Sequence, residues 1–188
     1  MASDGIGARS GCGVRRAPAR LRCIQETLPM SAAGEGGDKR RISSVLFVCG
    51  MNAIRSPMAE ALARSLLPPS VYVASAGVRD GQRDPFVDSV LAEKGLSLGD
   101  RRPQRLEDLE DSYFDLIVTM APEAHHAVLD ATGTASVDVE FWPMPDPSVA
   151  TGSREQILEA YRAVCSRIDD HIRKRLLPDQ AAPPAPKD

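Results

Sequence analysis

From about residue 43 to residue 177, apolar runs rich in β-branched residues alternate with segments of helical period, and that alternation restricts the fold more than any other feature. "SSVLFVC", ending at Cys49, is continuously apolar, the pattern of a strand covered on both faces. "SPMAEALARSLL" follows at helical spacing, with Ser56 as N-cap and Pro57 at the first helical position. Further strands are predicted at Val71 to Ala76, Asp115 to Met120 and Val137 to Trp142. Helices are predicted from about Pro85 to Lys94, Pro122 to Asp130 and Ser153 to Leu177. Such an order builds an α/β domain, a parallel sheet with helices on both faces and right-handed crossovers. In a sheet of this kind the ligand site lies beyond the carboxyl ends of the strands.

The stretch "CGMNAIRSP" occupies that position. Cys49 closes the first strand, the five residues Gly50, Met51, Asn52, Ala53 and Ile54 form the turn, and Arg55 and Ser56 open the helix. A loop feeding a helix N-terminus aims several backbone N–H groups at one point and, with the helix dipole, cradles an anion. The same field favours thiolate over thiol and makes Cys49 a nucleophile near neutral pH. Arg55 can hold two oxygens of a tetrahedral anion in a bidentate fork, which a lysine cannot copy. Ser56 can donate to the sulfur. The chemistry this suits is displacement on a phosphoryl group through a cysteinyl-phosphate.

That chemistry also needs an acid for the departing oxygen, which then activates water. "WPMPDPS" supplies Asp146 just past the last predicted strand, on the same face as Cys49, between Pro145 and Pro147, which stiffen the loop.

Composition removes other classes. The formal net charge of -3 offers no global attraction to nucleic acid or membrane, and no apolar run approaches the roughly 20 residues of a bilayer span. Four scattered cysteines, Cys12, Cys23, Cys49 and Cys165, form neither a zinc motif nor a disulfide framework, so a reducing cytoplasm is the expected compartment. Up to Ser43 the chain carries 8 Lys and Arg against 4 Asp and Glu, and lacks any sustained period. Residues 1–43 are therefore expected to be a disordered extension, residues 44–177 the domain, and the proline-rich residues 178–188 a frayed tail.

Cys49-x5-Arg55-Ser56-Pro57 at a strand-to-helix junction, "SAG" at Ser75 to Gly77, and Asp146-Pro147 late in the chain together resemble the low-molecular-weight protein tyrosine phosphatase family. The resemblance runs from about Ser43 to Arg175. It implies a four-stranded parallel sheet in a flavodoxin-like three-layer fold, no metal and no cofactor. It also implies Cys49 as nucleophile, Arg55 as phosphate clamp, Asp146 as general acid and Asn52 as a brace of the loop. Family loops usually carry a glycine before the asparagine and a second cysteine before the arginine; Met51 and Ile54 stand there, with glycine displaced to Gly50. Without that second thiol, peroxide is expected to inactivate the enzyme with poor recovery on adding dithiothreitol. The aromatic slot for a phenyl ring is also missing, with Phe86 as the one substitute in "VRDGQRDPF" and Ser148 and Val149 after Asp-Pro. Arg79, Asp80 and Arg83 at the rim point to a polar or charged substrate.

Other features read as structural. His125 and His126 are adjacent on a helix and make no metal pair. "RRPQR" (Arg101 to Arg105) reads as an exposed turn, and Cys165 as a small buried hydrophobe. Three functional classes follow. The first is a cysteine-dependent phosphatase acting on a phosphorylated protein or small phosphomonoester. The second is a thiol-dependent arsenate reductase, which would need a further redox cysteine pair. The third is a phosphate-binding module without turnover.

Overall fold

The computed structural model describes residues 42–110, 113–133 and 137–177. The expected disordered extension and frayed tail lie outside these residues, apart from Ile42 and Ser43. Both belong to the domain: Ile42 packs on the core, and the Ser43 N–H and hydroxyl donate to Asp115 Oδ2 at 2.7 and 2.6 Å.

The order is β1 (Ser44–Cys49), α1 (Arg55–Leu66), β2 (Tyr72–Gly77), α2 (Pro85–Glu93), β3 (Leu116–Thr119), α3 (Pro122–Thr132), β4 (Asp138–Phe141) and α4 (Arg154–Leu176). All four strands are parallel in the order β2-β1-β3-β4. The chain leaves β1 to one side for β2 and returns on the other side for β3, so the strand order switches at the carboxyl end of β1, where such sheets bind ligands.

Alternation along β1 divides the core into two layers. Val45, Phe47 and Cys49 face a large cluster supplied by α1, α2 and α4, whereas Leu46 and Val48 face a smaller one supplied by α3. Both faces of the central strand are thus covered, which is why its sequence is apolar without a break. On α4 the buried residues Leu158, Tyr161, Val164, Cys165, Ile168 and Ile172 recur at helical spacing and form the stripe laid on the sheet side.

Helix starts follow local chemistry with one exception. Asp84 caps α2 by accepting from Phe86 N at 2.8 Å, Pro122 occupies the first turn of α3, and Ser153 with Gln156 forms a capping box on α4. The exception is α1, which follows Ile54 with neither a side-chain cap nor a proline in its first two positions. Ser56 lies inside the first turn rather than capping it, and Pro57 stands at its third position rather than its first. The serine hydroxyl is used elsewhere.

Candidate active site

Ser56 Oγ lies 3.0 Å from Cys49 Sγ, donates to the Ala76 carbonyl at 3.1 Å and accepts from Asn52 Nδ2 at 2.9 Å. Its one proton has two acceptors. It can stay on Ala76 while the sulfur is a thiol and turn to the sulfur once that is a thiolate. Asn52 has φ 52°, in the left-handed region that asparagine tolerates better than most residues. This conformation points its amide inward: Nδ2 also donates to Ser75 Oγ at 3.0 Å, and Oδ1 accepts from Arg101 Nη2 at 2.7 Å and from Gln104 N at 3.0 Å.

Behind Asn52 the network continues into the protein. Ser75 Oγ donates to Glu60 Oε2 at 2.6 Å, and that carboxylate pairs with Arg101 Nε at 2.7 Å and Arg64 Nη2 at 2.8 Å. Glu60 is 4% exposed, so its charge is held by partners rather than by water. The segment Arg101 to Arg105 is therefore no exposed turn. Arg101 clamps the loop, Gln104 Nε2 donates to the Ser75 carbonyl at 2.8 Å, and the Gln104 carbonyl accepts from Gly77 N at 2.9 Å. The "SAG" triplet now has a physical role. Ser75 ties Asn52 to Glu60, Ala76 takes the Ser56 proton, and a β-carbon on Gly77 would meet the Met51 and Asn52 backbone at 2.6 Å.

The opposite side of the loop holds Arg55 and Asp146. Arg55, 9% exposed, donates through Nη1 to the Met144 carbonyl at 3.2 Å and the Met120 carbonyl at 3.5 Å, and through Nη2 to Asp146 Oδ2 at 3.0 Å. Asp146 Oδ1 accepts from Ser148 N at 3.0 Å and Ser148 Oγ at 2.7 Å. Partial burial pushes the Asp146 carboxyl up, but the two Ser148 hydrogen bonds and the Arg55 charge outweigh it and hold the group below the usual carboxylate range.

Of the residues read from the sequence, the fold thus joins Cys49, Asn52 and Ser56 by contacts, and Arg55 to Asp146. Ile54 is buried against the core, whereas Met51 is 44% exposed at the rim. Phe86 packs on Tyr161 with ring centroids 5.4 Å apart and carries Arg154 at 6.0 Å over its face. Arg83 is engaged by Asp88 at 2.8 Å and is not free at the rim. His125 Nδ1 lies 3.0 Å from Thr119 Oγ1, and its ring stacks on Phe141. Sequence reading missed Glu60, Arg101 and Gln104. Glu60 left one signal, its place four residues after Ser56 and four before Arg64, one helical stripe.

A parallel α/β sheet with a cysteine-arginine anion loop at its switch point defines the class, and comparison with known proteins gives the family. The model of the low molecular weight phosphotyrosine protein phosphatase family matches residues 44–181. The chain belongs to that family and is a cysteine-dependent phosphatase by class. A probable low molecular weight protein-tyrosine-phosphatase, EpsP, of Ralstonia nicotianae is 41% identical over 81 residues, 42% of this chain and 56% of that protein. The crystal structure of the Erwinia amylovora tyrosine phosphatase AmsI superposes with a TM-score of 0.60 at 25% identity, covering 73% of this chain and 93% of that one. An arsenate reductase from Archaeoglobus fulgidus superposes at 0.55 with 30% identity, covering 69% and 96%. The similarity thus reaches both phosphatases and arsenate reductases.

Proposed function

We propose that the protein hydrolyses phosphomonoesters, on proteins or small molecules, through a cysteinyl-phosphate. The observation that carries this reading is the joining of thiol, clamp and acid by one helix start: Ser56 touches Cys49, and Arg55, its neighbour, holds Asp146.

The phosphate enters the loop as an anion held by backbone N–H groups and by Arg55, which lets go of Asp146 to take it. Cys49 Sγ attacks phosphorus; the S–P bond forms as the P–O bond to the leaving group breaks, and Asp146 gives its proton to the departing oxygen. Water, deprotonated by Asp146, then breaks the S–P bond and releases phosphate. Ser56 turns its proton toward the sulfur and steadies it as leaving group.

The proton balance decides which ester ionisation binds. Asp146 is ionised in the free protein at neutral pH, because its pKa is held low. An ester monoanion therefore brings the proton that Asp146 needs once Arg55 has turned to the phosphate. kcat/KM is expected to fall as pH rises past the second phosphate pKa, about 6.

Arsenate reduction fits less well. Among the described residues the second thiol, Cys165, is 0% exposed in α4, and burial pushes its pKa up. Such a thiol is a poor resolving group for a disulfide with Cys49. A reducing compartment such as the cytoplasm suits a mechanism that depends on one unoxidised sulfur, and no described helix is long and apolar enough to cross a membrane.

Hydrolysis of an aryl phosphate across pH 5 to 8 tests the reading. The expected outcome is loss of turnover in Cys49→Ser and slowing by about 10²–10⁴ in Asp146→Ala. Inertness of the wild type with retained binding of phosphate or vanadate would make the loop an anion receptor instead.

A further inference from the structure

A carboxylate is the least expected neighbour of this loop. A β-carbon built on Gly50 would lie 2.8 Å from Glu123 Oε1 and 3.6 Å from Arg79 Nη2, so a side chain at this position would move the Glu123 carboxylate off the edge of the anion cradle. The two elements that deliver it are fixed. Glu123 stands in the first turn of α3, which begins where β3 ends, and the Arg79 N–H donates to the Gly50 carbonyl at 2.9 Å. A glutamate in a first helical turn is ordinary helix-dipole chemistry. Its place against the first residue of an anion loop is not, because a bound phosphate repels it.

The pair is loosely held. Glu123 and Arg79 are 3.8 Å apart with side chains 45% and 68% exposed, a separation and exposure at which ion pairs contribute little. A phosphate dianion in the loop draws the Arg79 cation toward itself, and Glu123 then lacks a partner. A positive charge on the leaving group would take that place, whereas a neutral or acidic leaving group would leave the carboxylate facing the phosphate unopposed. The other nearby arginine, Arg83, cannot substitute, since Asp88 and the Gly99 carbonyl hold it.

We propose that Glu123, admitted by Gly50, selects phosphomonoesters whose leaving group carries a positive charge, as a phosphorylated residue beside a lysine or arginine does. The inference rests on the phosphatase reading of the loop and names its substrate class.

The test compares kcat/KM for 4-(aminomethyl)phenyl phosphate and 4-(hydroxymethyl)phenyl phosphate, similar in shape and differing in charge. The ratio of the cationic to the neutral ester is expected to fall by about two- to five-fold in Glu123→Gln, the range for an exposed charge pair. Gly50→Ala, which pushes Glu123 aside without removing its charge, is expected to lower the ratio in the same direction. Arg79→Gln is expected to lower kcat/KM for both esters alike. Turnover of both esters with the same ratio in wild type and Glu123→Gln would overturn the charge selection and leave the phosphatase standing. No turnover of either ester by the wild type would overturn both.

Discussion

The two flanks of the loop are built differently. On the β2 side, Asn52, Ser75, Glu60, Arg101 and Gln104 share hydrogen bonds so densely that no polar group there can move alone. On the β3 and β4 side, Arg55 meets Asp146 through one ion pair, and Glu123 meets Arg79, which follows β2, through a longer one. The first flank fixes the shape of the cradle before any ligand arrives, which keeps reorganisation out of the reaction. In the proposed reaction the second holds groups that change partners when phosphate binds, Arg55 and Asp146 being joined to each other by a single ion pair. The buried Glu60 carboxylate serves as scaffold on one flank, and the buried Arg55 guanidinium faces a part-exposed Asp146 on the other.

The contrast can be broken most sharply at Asp146, the proposed acid. Asp146→Asn keeps the size of the side chain but has no proton of the right acidity to give; kcat is expected to fall by about 10²–10⁴ while the melting temperature changes little. An equal loss of stability in thermal unfolding would mean that the second flank also carries the fold.

Arg101→Leu strikes the other flank. It leaves the Glu60 charge buried with Arg64 alone, and a cost of about 3 kcal/mol is expected in urea unfolding, the low end for a broken buried pair. The double variant Glu60→Gln with Arg101→Leu should recover part of that loss, because it removes the stranded charge. No recovery would show that packing rather than charge pairing is the function of Arg101.

Asn52→Gly keeps the backbone freedom that φ 52° demands and removes the amide. Its expected cost is about 1–3 kcal/mol, from the donors and acceptors it leaves unsatisfied in a buried place. If the scaffold sets the cradle, phosphate affinity measured by calorimetry should fall with it.

The smallest effect is in acid. The folded pKa of Asp146 is depressed, so its contribution to stability is fully present above the ordinary carboxylate value, about 3.9, and is lost as pH falls through the lower folded value. Asp115 behaves likewise, held down by the Ser43 hydroxyl and N–H against a little desolvation. Stability measured from pH 6 down to 3 should therefore decline less steeply in Asp146→Asn than in wild type. A parallel decline would mean that the carboxylate is not the group that titrates.

How much of this was legible beforehand depended on the range of the interaction. The helix start that closes the loop and the reach of Ser56 to the sulfur were readable from "CGMNAIRSP", but the start of the helix one residue before Ser56 was not. A serine before a proline looks like a cap until the sheet brings Ala76 and Cys49 to either side of it. The basic segment from Arg101 to Arg105 looked solvated because its partners, Asn52, Glu60 and Ser75, lie 26 to 52 residues away along the chain.

By itself the sequence determined the parallel α/β order and pointed to the candidate reacting groups, because alternation, a strand-to-helix junction and a cysteine separated from an arginine by five residues are all local patterns. Tertiary structure alone decided which charges are buried, which pair and which stand ready to change partners. Those properties depend on distances between strands, and the carboxyl edge of one sheet gathers Glu60, Arg101, Glu123 and Asp146 around one loop with no sequence rule to announce it.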